Sequence, residues 1–258
     1  RSGVPVKLPL FIAGFIILQG AFGMWTVTLK LWPQVVALHL LGGFTTLSLL
    51  TLLTLRLRRR AKAEAAREQP GAGALAGFRP WLHGGLLLVV MQIALGAWTA
   101  ANYAALACTD LPTCQGQWWP EGMDFRHGFD VTQHVGPNYL GGQLKADGRV
   151  AIHVTHRVGA MVVLVYFAAL LTLMWRRRGE AGLDNAIRLV AAVLSTQILL
   201  GLANVLFNIP LSIAVAHNAM GAGLLLSVIH LIWQHQLLPK THTETATHTT
   251  TMNQEVTA

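Results

Sequence analysis

Two long stretches of this chain, residues 31–55 and 81–109, contain no Asp, Glu, Lys or Arg. Runs of about 20 apolar residues are long enough to cross the hydrocarbon core of a bilayer as an α-helix. The helix is also the form that satisfies every backbone hydrogen-bonding group within one segment. Only 12% of the 258 residues are charged, about half the fraction that is usual in soluble domains. These stretches therefore indicate an integral membrane protein.

Six apolar stretches predict an all-α integral membrane fold with six transmembrane helices. We expect these helices near residues 8–30, 33–55, 81–107, 150–175, 186–209 and 211–237. Residues 1–60 and 80–238 would form two membrane units, joined by a cytoplasmic linker over residues 61–79. The second unit carries a long outer loop at residues 108–149. The Thr-rich residues 239–258 predict a disordered cytoplasmic tail.

The basic residues predict how the helices are oriented in the membrane. Six Lys or Arg fall within residues 56–67 and three Arg lie at 176–178, whereas the 108–149 loop carries three basic and five acidic residues. Because basic loops stay in the cytoplasm, we expect both basic clusters inside and the long loop outside. The net charge of +8 is then a topology signal. It does not indicate nucleic acid binding, because no basic face exists outside these loops.

A short repeat, Gln-x-x-x-Gly, occurs in the first, third and fifth predicted helices, beginning at Gln19, Gln92 and Gln197. The first and last copies are each followed by a histidine after 20 residues, at His39 and His217. This spacing predicts that the first and last helix pairs are copies of one hairpin, and that the middle pair is a different hairpin. For each single copy, ordinary helix packing by Gln and Gly is the open alternative.

Three histidines, His39, His156 and His217, lie at the same depth, each near the outer end of its predicted helix. Ionisable groups within a membrane are costly and usually functional. Imidazole ligates haem iron, and helix bundles build cofactor sites from facing side chains. We predict that His156 and His217 hold one iron from both sides, since their helices belong to one unit. Hydrogen bonds between helices are the alternative, and a zinc or copper site is disfavoured because no Cys or carboxylate accompanies them.

Four further residues near His156 or in the outer loop are candidates for the site. His153 precedes His156 by one helical turn and shares its helix face. Arg157 follows His156 and would pair with a haem propionate, or else extend towards lipid headgroups. Cys108 and Cys114 are the only cysteines. In an outer loop they could form a structural disulfide, form a redox-active pair or remain free thiols.

Together these motifs resemble the haem A synthase family over nearly the whole chain apart from the tail. Residues 152–157 resemble the sixth helix of that family, residues 216–221 the eighth and residues 39–43 the fourth, while residues 107–120 resemble its outer loop. The resemblance implies eight helices in two pseudo-symmetric four-helix bundles. This chain would then lack the first two helices.

The resemblance also implies an oxidoreductase that converts haem O to haem A for terminal cytochrome oxidases. A ring methyl would be oxidised to a formyl group, with oxygen taken from water. His156 and His217 would ligate a resident haem b, with His153 and Arg157 beside it. His39 would be catalytic, in a second site for haem O. The Glu-x-x-His motif that completes that site lies on an absent helix, so we expect this chain to bind the resident haem and to be an inactive fragment.

The expected surroundings follow from the same resemblance. Haem O would be the substrate, haem O synthase a candidate partner and a homo-oligomer a candidate assembly, in the bilayer of a bacterial inner membrane. The electron donor is not indicated. Two rival functions stay open: a b-type cytochrome that relays electrons from quinol to another carrier, and a haem carrier that delivers haem to an oxidase.

Overall fold

The computed structural model describes residues 6–62, 75, 77–133, 136, 138–177 and 182–237. Its α-helices are α1 (Lys7–Thr28), α2 (Pro33–Lys62), α3 (Arg79–Ala101), α4 (Phe125–Gly128), α5 (Ala146–Arg177), α6 (Asp184–Leu206) and α7 (Leu211–Gln236). Apart from the short α4, all are long and apolar enough to cross a membrane, which makes six candidate spans among the described residues. The predicted all-α membrane fold is confirmed. The tail and most of the 61–79 linker lie outside the described residues.

Three predicted helix boundaries are wrong. The helix predicted to end at residue 55 continues to Lys62, because hydropathy marks only its apolar part and the Lys and Arg that follow are good helix formers. The helix predicted to end at residue 107 ends at Ala101, because Tyr103 takes a left-handed φ of 52° and a 3-10 turn, Ala104–Leu106, follows. The apolar composition continues through this turn, so hydropathy could not reveal it. The helix predicted from residue 150 begins at Ala146. Asp147 in its first turn favours this early start, since a carboxylate stabilises a helix N-terminus.

The four helices α3, α5, α6 and α7 form one bundle. Helix α3 packs against α5 and α7, and α6 packs against the same two helices. Helices α5 and α7 therefore occupy opposite corners of the bundle, the arrangement in which side chains face each other across a bundle core. Helix α2 packs against α1 on one side and against α3 and α7 on the other, so the α1–α2 hairpin flanks the bundle.

The loop at residues 108–149, called the outer loop after its predicted position, connects this hairpin to the bundle. The backbone N–H of Tyr139 donates to the carbonyl of Lys30 at 2.9 Å, and the Gln34 amide donates to the carbonyl of Val131 at 2.7 Å. The Tyr139 hydroxyl donates to Oδ1 of Asn102 at 2.7 Å, and both side chains are 0% exposed. A buried polar pair of this kind fixes the loop across the outer ends of α2 and α3.

Candidate cofactor-binding site

His156 on α5 is held by the Gln and the Gly of the repeat on α3. The Gln92 amide nitrogen lies 3.1 Å from Nδ1 of His156 and donates to the His156 backbone carbonyl at 2.9 Å. A Cβ added to Gly96 would lie 3.1 Å from Cε1 of the same ring. Gln92 and Gly96 are four residues apart, so they share one helix face. The imidazole is therefore fixed on one side by an amide and on another by bare helix backbone.

The α1–α2 hairpin repeats this arrangement, whereas the Gln of the α6–α7 hairpin contacts the other ring nitrogen. The Gln19 amide nitrogen lies 3.0 Å from Nδ1 of His39 and also donates to the His39 backbone carbonyl. The Gln197 amide nitrogen lies 3.3 Å from Nε2 of His217. Added Cβ atoms would lie 3.0 Å and 3.2 Å from Cε1 of these two rings at the corresponding glycines, Gly23 and Gly201.

The prediction that the middle hairpin differs from its neighbours is thus wrong for this contact set, because all three hairpins carry the same Gln, Gly and His. The sequence did not reveal that Gln92 contacts His156 in the middle hairpin. Gln92 and His156 are 64 residues apart, whereas Gln19 and His39 are 20 apart, because the outer loop separates α3 from α5. The contacts between Gln and His were also missed, although the repeat itself was the signal for them.

His156 and His217 come from the opposite corners of the four-helix bundle. His39 lies on α2, outside the bundle, and its ring contacts Gln19 of α1. The structure therefore places the pair that the sequence predicts as iron ligands on two helices of one bundle, and the third histidine in the flanking hairpin.

The bundle is incompletely packed at the level of these histidines. In the described helix α5 no residue between Val154 and Val163 is buried. The same gap occurs in α3 between Val89 and Ala97, and the buried residues of α6 end at Leu194. In α7 they begin only after His217, at Gly221. The close-packed core thus lies further from the outer loop, and fewer residues are buried at the level of the histidines.

Three buried polar atoms beside the pair have no hydrogen-bond partner within the described part of the chain. They are Oε1 of Gln92, Oε1 of Gln197 and Nδ1 of His217. Buried polar groups are almost always hydrogen-bonded, so an unpartnered imidazole nitrogen indicates that something else binds it. Haem iron takes such a nitrogen as an axial ligand. The residues present therefore fit a haem held by His156 and His217.

His153 makes a structural contact at the outer end of α5. Its Nδ1 lies 3.0 Å from the backbone carbonyl of Ala104, and its side chain is only 5% exposed. An N–H donated to this carbonyl joins α5 to the 3-10 turn after α3. The predicted role of His153 in binding a cofactor stays a prediction.

Arg157 holds the cysteine loop against α5. Its two terminal nitrogens donate to the backbone carbonyls of Thr113 and Cys108, each at 2.8 Å. Neither of the two predicted partners, a haem propionate or lipid headgroups, accounts for these bonds. The remaining Nε–H of Arg157 is buried and has no partner among the described residues, so it is the part of this side chain still able to meet an anionic group.

Cys108 and Cys114 form a disulfide, and both are almost fully buried. Asp110 organises the loop between them. Its carboxylate accepts hydrogen bonds from the Thr113 hydroxyl at 2.5 Å, the Gln115 backbone at 2.7 Å and the Gly116 backbone at 3.0 Å. Because these donors stabilise the charged form, the pKa of Asp110 is lowered from 3.8 to about 2.

The fold and the paired histidines define the class: a multi-pass helical membrane protein with a histidine site inside a four-helix bundle. Residues 2–229 match the model of the cytochrome oxidase assembly protein family, COX15-CtaA. The chain belongs to this family, as its resemblance to haem A synthases predicts.

Curated relatives carry the name heme A synthase. The chain is 41% identical to that of Shewanella oneidensis, over 89% of this chain and 67% of the relative. It is 30% identical to that of Rhizorhabdus wittichii, over 86% and 58%, and 29% identical to that of Paracoccus denitrificans, over 86% and 55%. The match therefore spans between 55% and 67% of the length of these relatives.

Proposed function

We propose that this chain acts in haem A synthesis, where it holds a resident haem b and oxidises haem O. The observation that carries the proposal is the His156–His217 pair, which lies on opposite corners of the bundle. Each ring is fixed by a Gln and a Gly, at the level where fewer residues of the bundle are buried. Membership of a family of cytochrome oxidase assembly proteins supports the same conclusion, as do relatives named heme A synthase.

The proposed reaction is an oxidoreductase step on the substrate. A methyl group and one water molecule give a formyl group, four protons and four electrons, so an electron acceptor is required. The resident haem supplies one-electron transfer when it is bound, and the protein supplies ligands, orientation and electrostatics. Opposed imidazoles from α5 and α7 would fix that haem within the bundle.

The remaining site residues have proposed roles that follow from their surroundings. His39, set by Gln19 in the flanking hairpin, would be the catalytic histidine of the haem O site. The free Nε–H of Arg157 would meet a haem propionate while its terminal nitrogens hold the cysteine loop. His153 would position the outer end of α5 beside the haem. Haem O synthase is the candidate partner that would supply the substrate, and a homo-oligomer is a candidate assembly.

We also propose a bacterial inner membrane as the location, with the basic ends of α2 and α5 and the C-terminal tail in the cytoplasm. The basic residues at 56–59 and 176–177 lie at the ends of the two helices opposite the outer loop. Such residues remain on the cytoplasmic side. The Cys108–Cys114 disulfide supports an outer position for the loop, since disulfides persist in oxidising compartments.

For the disulfide we propose a structural role, because Arg157 and Asp110 bind the loop that it closes. Replacing both cysteines by Ser should lower the melting temperature in detergent and lower haem content with it, as expected when a constraint on the unfolded chain is removed. Haem content and melting temperature are measured on one preparation. Loss of haem A formation with both quantities unchanged would instead establish a redox role for the pair.

The function is tested by expressing the chain in a bacterium that makes haem O but no haem A, then extracting haem and identifying it by mass. The proposal predicts haem A together with haem b, whereas an inactive fragment would yield haem b alone. The His39→Ala variant should lose haem A and keep haem b, because this histidine lies outside the His156–His217 bundle. Haem b without haem A in the unaltered chain would contradict the proposal that it oxidises haem O, and would agree with the inactive fragment expected from the missing Glu-x-x-His motif, with an electron relay or with a haem carrier.

A further inference from the structure

Each glutamine of the repeat contacts a histidine. A histidine can bind iron without such a contact. We propose that Gln92 and Gln197 are positioning residues, which orient the imidazoles of His156 and His217 towards the iron and lower the reduction potential of the bound haem through an amide–imidazole hydrogen bond. This inference rests on the proposed haem site and names residues that tune it.

The Gln92 amide contacts both the ring and the backbone of His156, and the two contacts together determine the direction of the ring. One nitrogen contacts Nδ1 at 3.1 Å and the backbone carbonyl of the same residue at 2.9 Å. The contact crosses from α3 to α5, so it also sets the local distance between two bundle helices. A ring bound at one nitrogen and blocked at Cε1 by Gly96 has little freedom to rotate.

A ligand histidine needs an acceptor at its second ring nitrogen. The nitrogen that binds iron must offer a lone pair, so the other nitrogen carries the proton and donates it to a neighbour. Gln92 occupies the position of that neighbour at Nδ1 of His156. A glutamine amide has a donor end and an acceptor end, and a half turn of the amide would bring its oxygen to Nδ1.

The structure shows that these amide oxygens are available. Oε1 of Gln92 and Oε1 of Gln197 are both buried and have no partner among the described residues. Turning the Gln92 amide would remove its bond to the His156 carbonyl, but that carbonyl lies within α5 and also accepts a helical hydrogen bond. An amide oxygen in the place of the nitrogen would face that carbonyl oxygen, so the side chain must also move away from it. With that movement, the turn gives the unpartnered oxygen a donor and leaves no backbone group unsatisfied.

The other member of the pair has the same components. Gln197 contacts Nε2 of His217 at 3.3 Å, and Nδ1 of His217 is buried without a partner. In both cases the glutamine takes one ring nitrogen and leaves the other for iron. A third copy, Gln19 with His39, shows that the contact belongs to the repeated hairpin and is not an accident of one helix pair.

Acceptance of the imidazole proton makes the ligand more electron-rich, which stabilises the oxidised iron. Removal of the amide should therefore raise the reduction potential of the haem and weaken its binding. Partners that orient metal ligands typically change metal affinity by about 10- to 100-fold when they are lost. We expect a decrease of that size in haem affinity for Gln92→Leu and for Gln197→Leu.

The test uses the full chain in detergent, with hemin titrated into haem-free protein, followed by a redox titration of the loaded sample. Gln92→Leu and Gln197→Leu are compared with Gln234→Leu as a control. Gln234→Leu removes a Gln–His contact on α7, the helix that carries His217, but outside the repeat. The control should keep the original affinity and potential. Gln92→Glu should restore the haem affinity that Gln92→Leu loses, and it should lower the reduction potential of the haem, because a carboxylate is a stronger acceptor than an amide.

The outcomes separate the two proposals. Unchanged affinity and potential in both leucine variants, with haem lost in His156→Ala and His217→Ala, would overturn the role of the glutamines and leave the haem site standing. Weaker binding with an unchanged potential and no restoration by Gln92→Glu would show that the glutamines only pack, which also overturns the inference. Haem binding retained in the histidine variants would overturn the proposed site itself.

Discussion

Replacing Gly96 by Ala should weaken haem binding without destabilising the protein. The added Cβ would lie 3.1 Å from Cε1 of His156, whereas carbon atoms in contact are about 3.5–4.0 Å apart. The ring must therefore move by roughly 0.4–0.9 Å to restore normal contact. A binding site works only when its groups are held within about 0.5 Å of their productive geometry. The expected displacement of the ring is therefore about as large as the site can tolerate.

The energetic consequence falls on the haem-bound state. In the free protein the His156 ring can shift by the few tenths of an ångström that the new methyl group requires, whereas bound iron would hold the ring in place. Overpacking costs about 1–3 kcal/mol, which corresponds to roughly 5- to 150-fold weaker binding at about 1.4 kcal/mol for each factor of ten. Alanine is favoured over glycine within a helix by up to about 1 kcal/mol. The melting temperature of the free protein should therefore stay the same or rise.

Hemin titration and thermal unfolding of the haem-free protein in one detergent measure the two effects separately. Gly20→Ala is the matched control, because an added Cβ there meets no atom within 4 Å and gains the same helix propensity. It should keep the original haem affinity. Equal affinities for Gly96→Ala and Gly20→Ala would refute the reasoning that the bare backbone at this position accommodates the ligand ring.

Three further predictions concern the outer loop. The depressed pKa of Asp110 contributes loop stability that is complete above its ordinary value of 3.8 and is lost as the pH falls to about 2, so exchange of the Gly116 backbone amide, expressed relative to the intrinsic exchange rate at each pH, should accelerate over that interval. Unchanged exchange would contradict the assignment of the charged form. Tyr139→Phe removes a buried hydrogen bond to Asn102 and should destabilise the protein by about 1–3 kcal/mol; a melting temperature equal to that of the unaltered protein would refute this. Arg157→Lys cannot reproduce two donors in a rigid fork and should increase proteolysis of the loop, whereas an unchanged cleavage rate would show that this fork does not hold it.

The membrane fold could be predicted because a single property, the absence of charge over helix-length stretches, determines it. The depth of His39, His156 and His217 followed from counting along those stretches, and the structure places the latter two in one bundle. The end of α3 could not be predicted in the same way. Residues 102–107 remain uncharged while the backbone turns, so composition gives no signal there.

The contacts of the site were harder to predict because they join distant parts of the chain. Arg157 binds carbonyls 44 and 49 residues earlier, through a loop that has no periodic pattern. The pairing of Gln92 with His156 has the same difficulty, whereas the equally spaced copies at Gln19 and Gln197 exposed the repeat. Sequence periodicity thus reveals a contact only where the connecting turn is short and equal in each copy.

The account depends most directly on the claim that His156 and His217 together hold one haem. A reduced-minus-oxidised absorption spectrum of the purified chain, recorded beside the His156→Ala and His217→Ala variants, tests it. We expect a low-spin b-type spectrum for the unaltered chain, and its loss in each variant while His39→Ala retains it. A low-spin spectrum that persists in either His156→Ala or His217→Ala would contradict the claim.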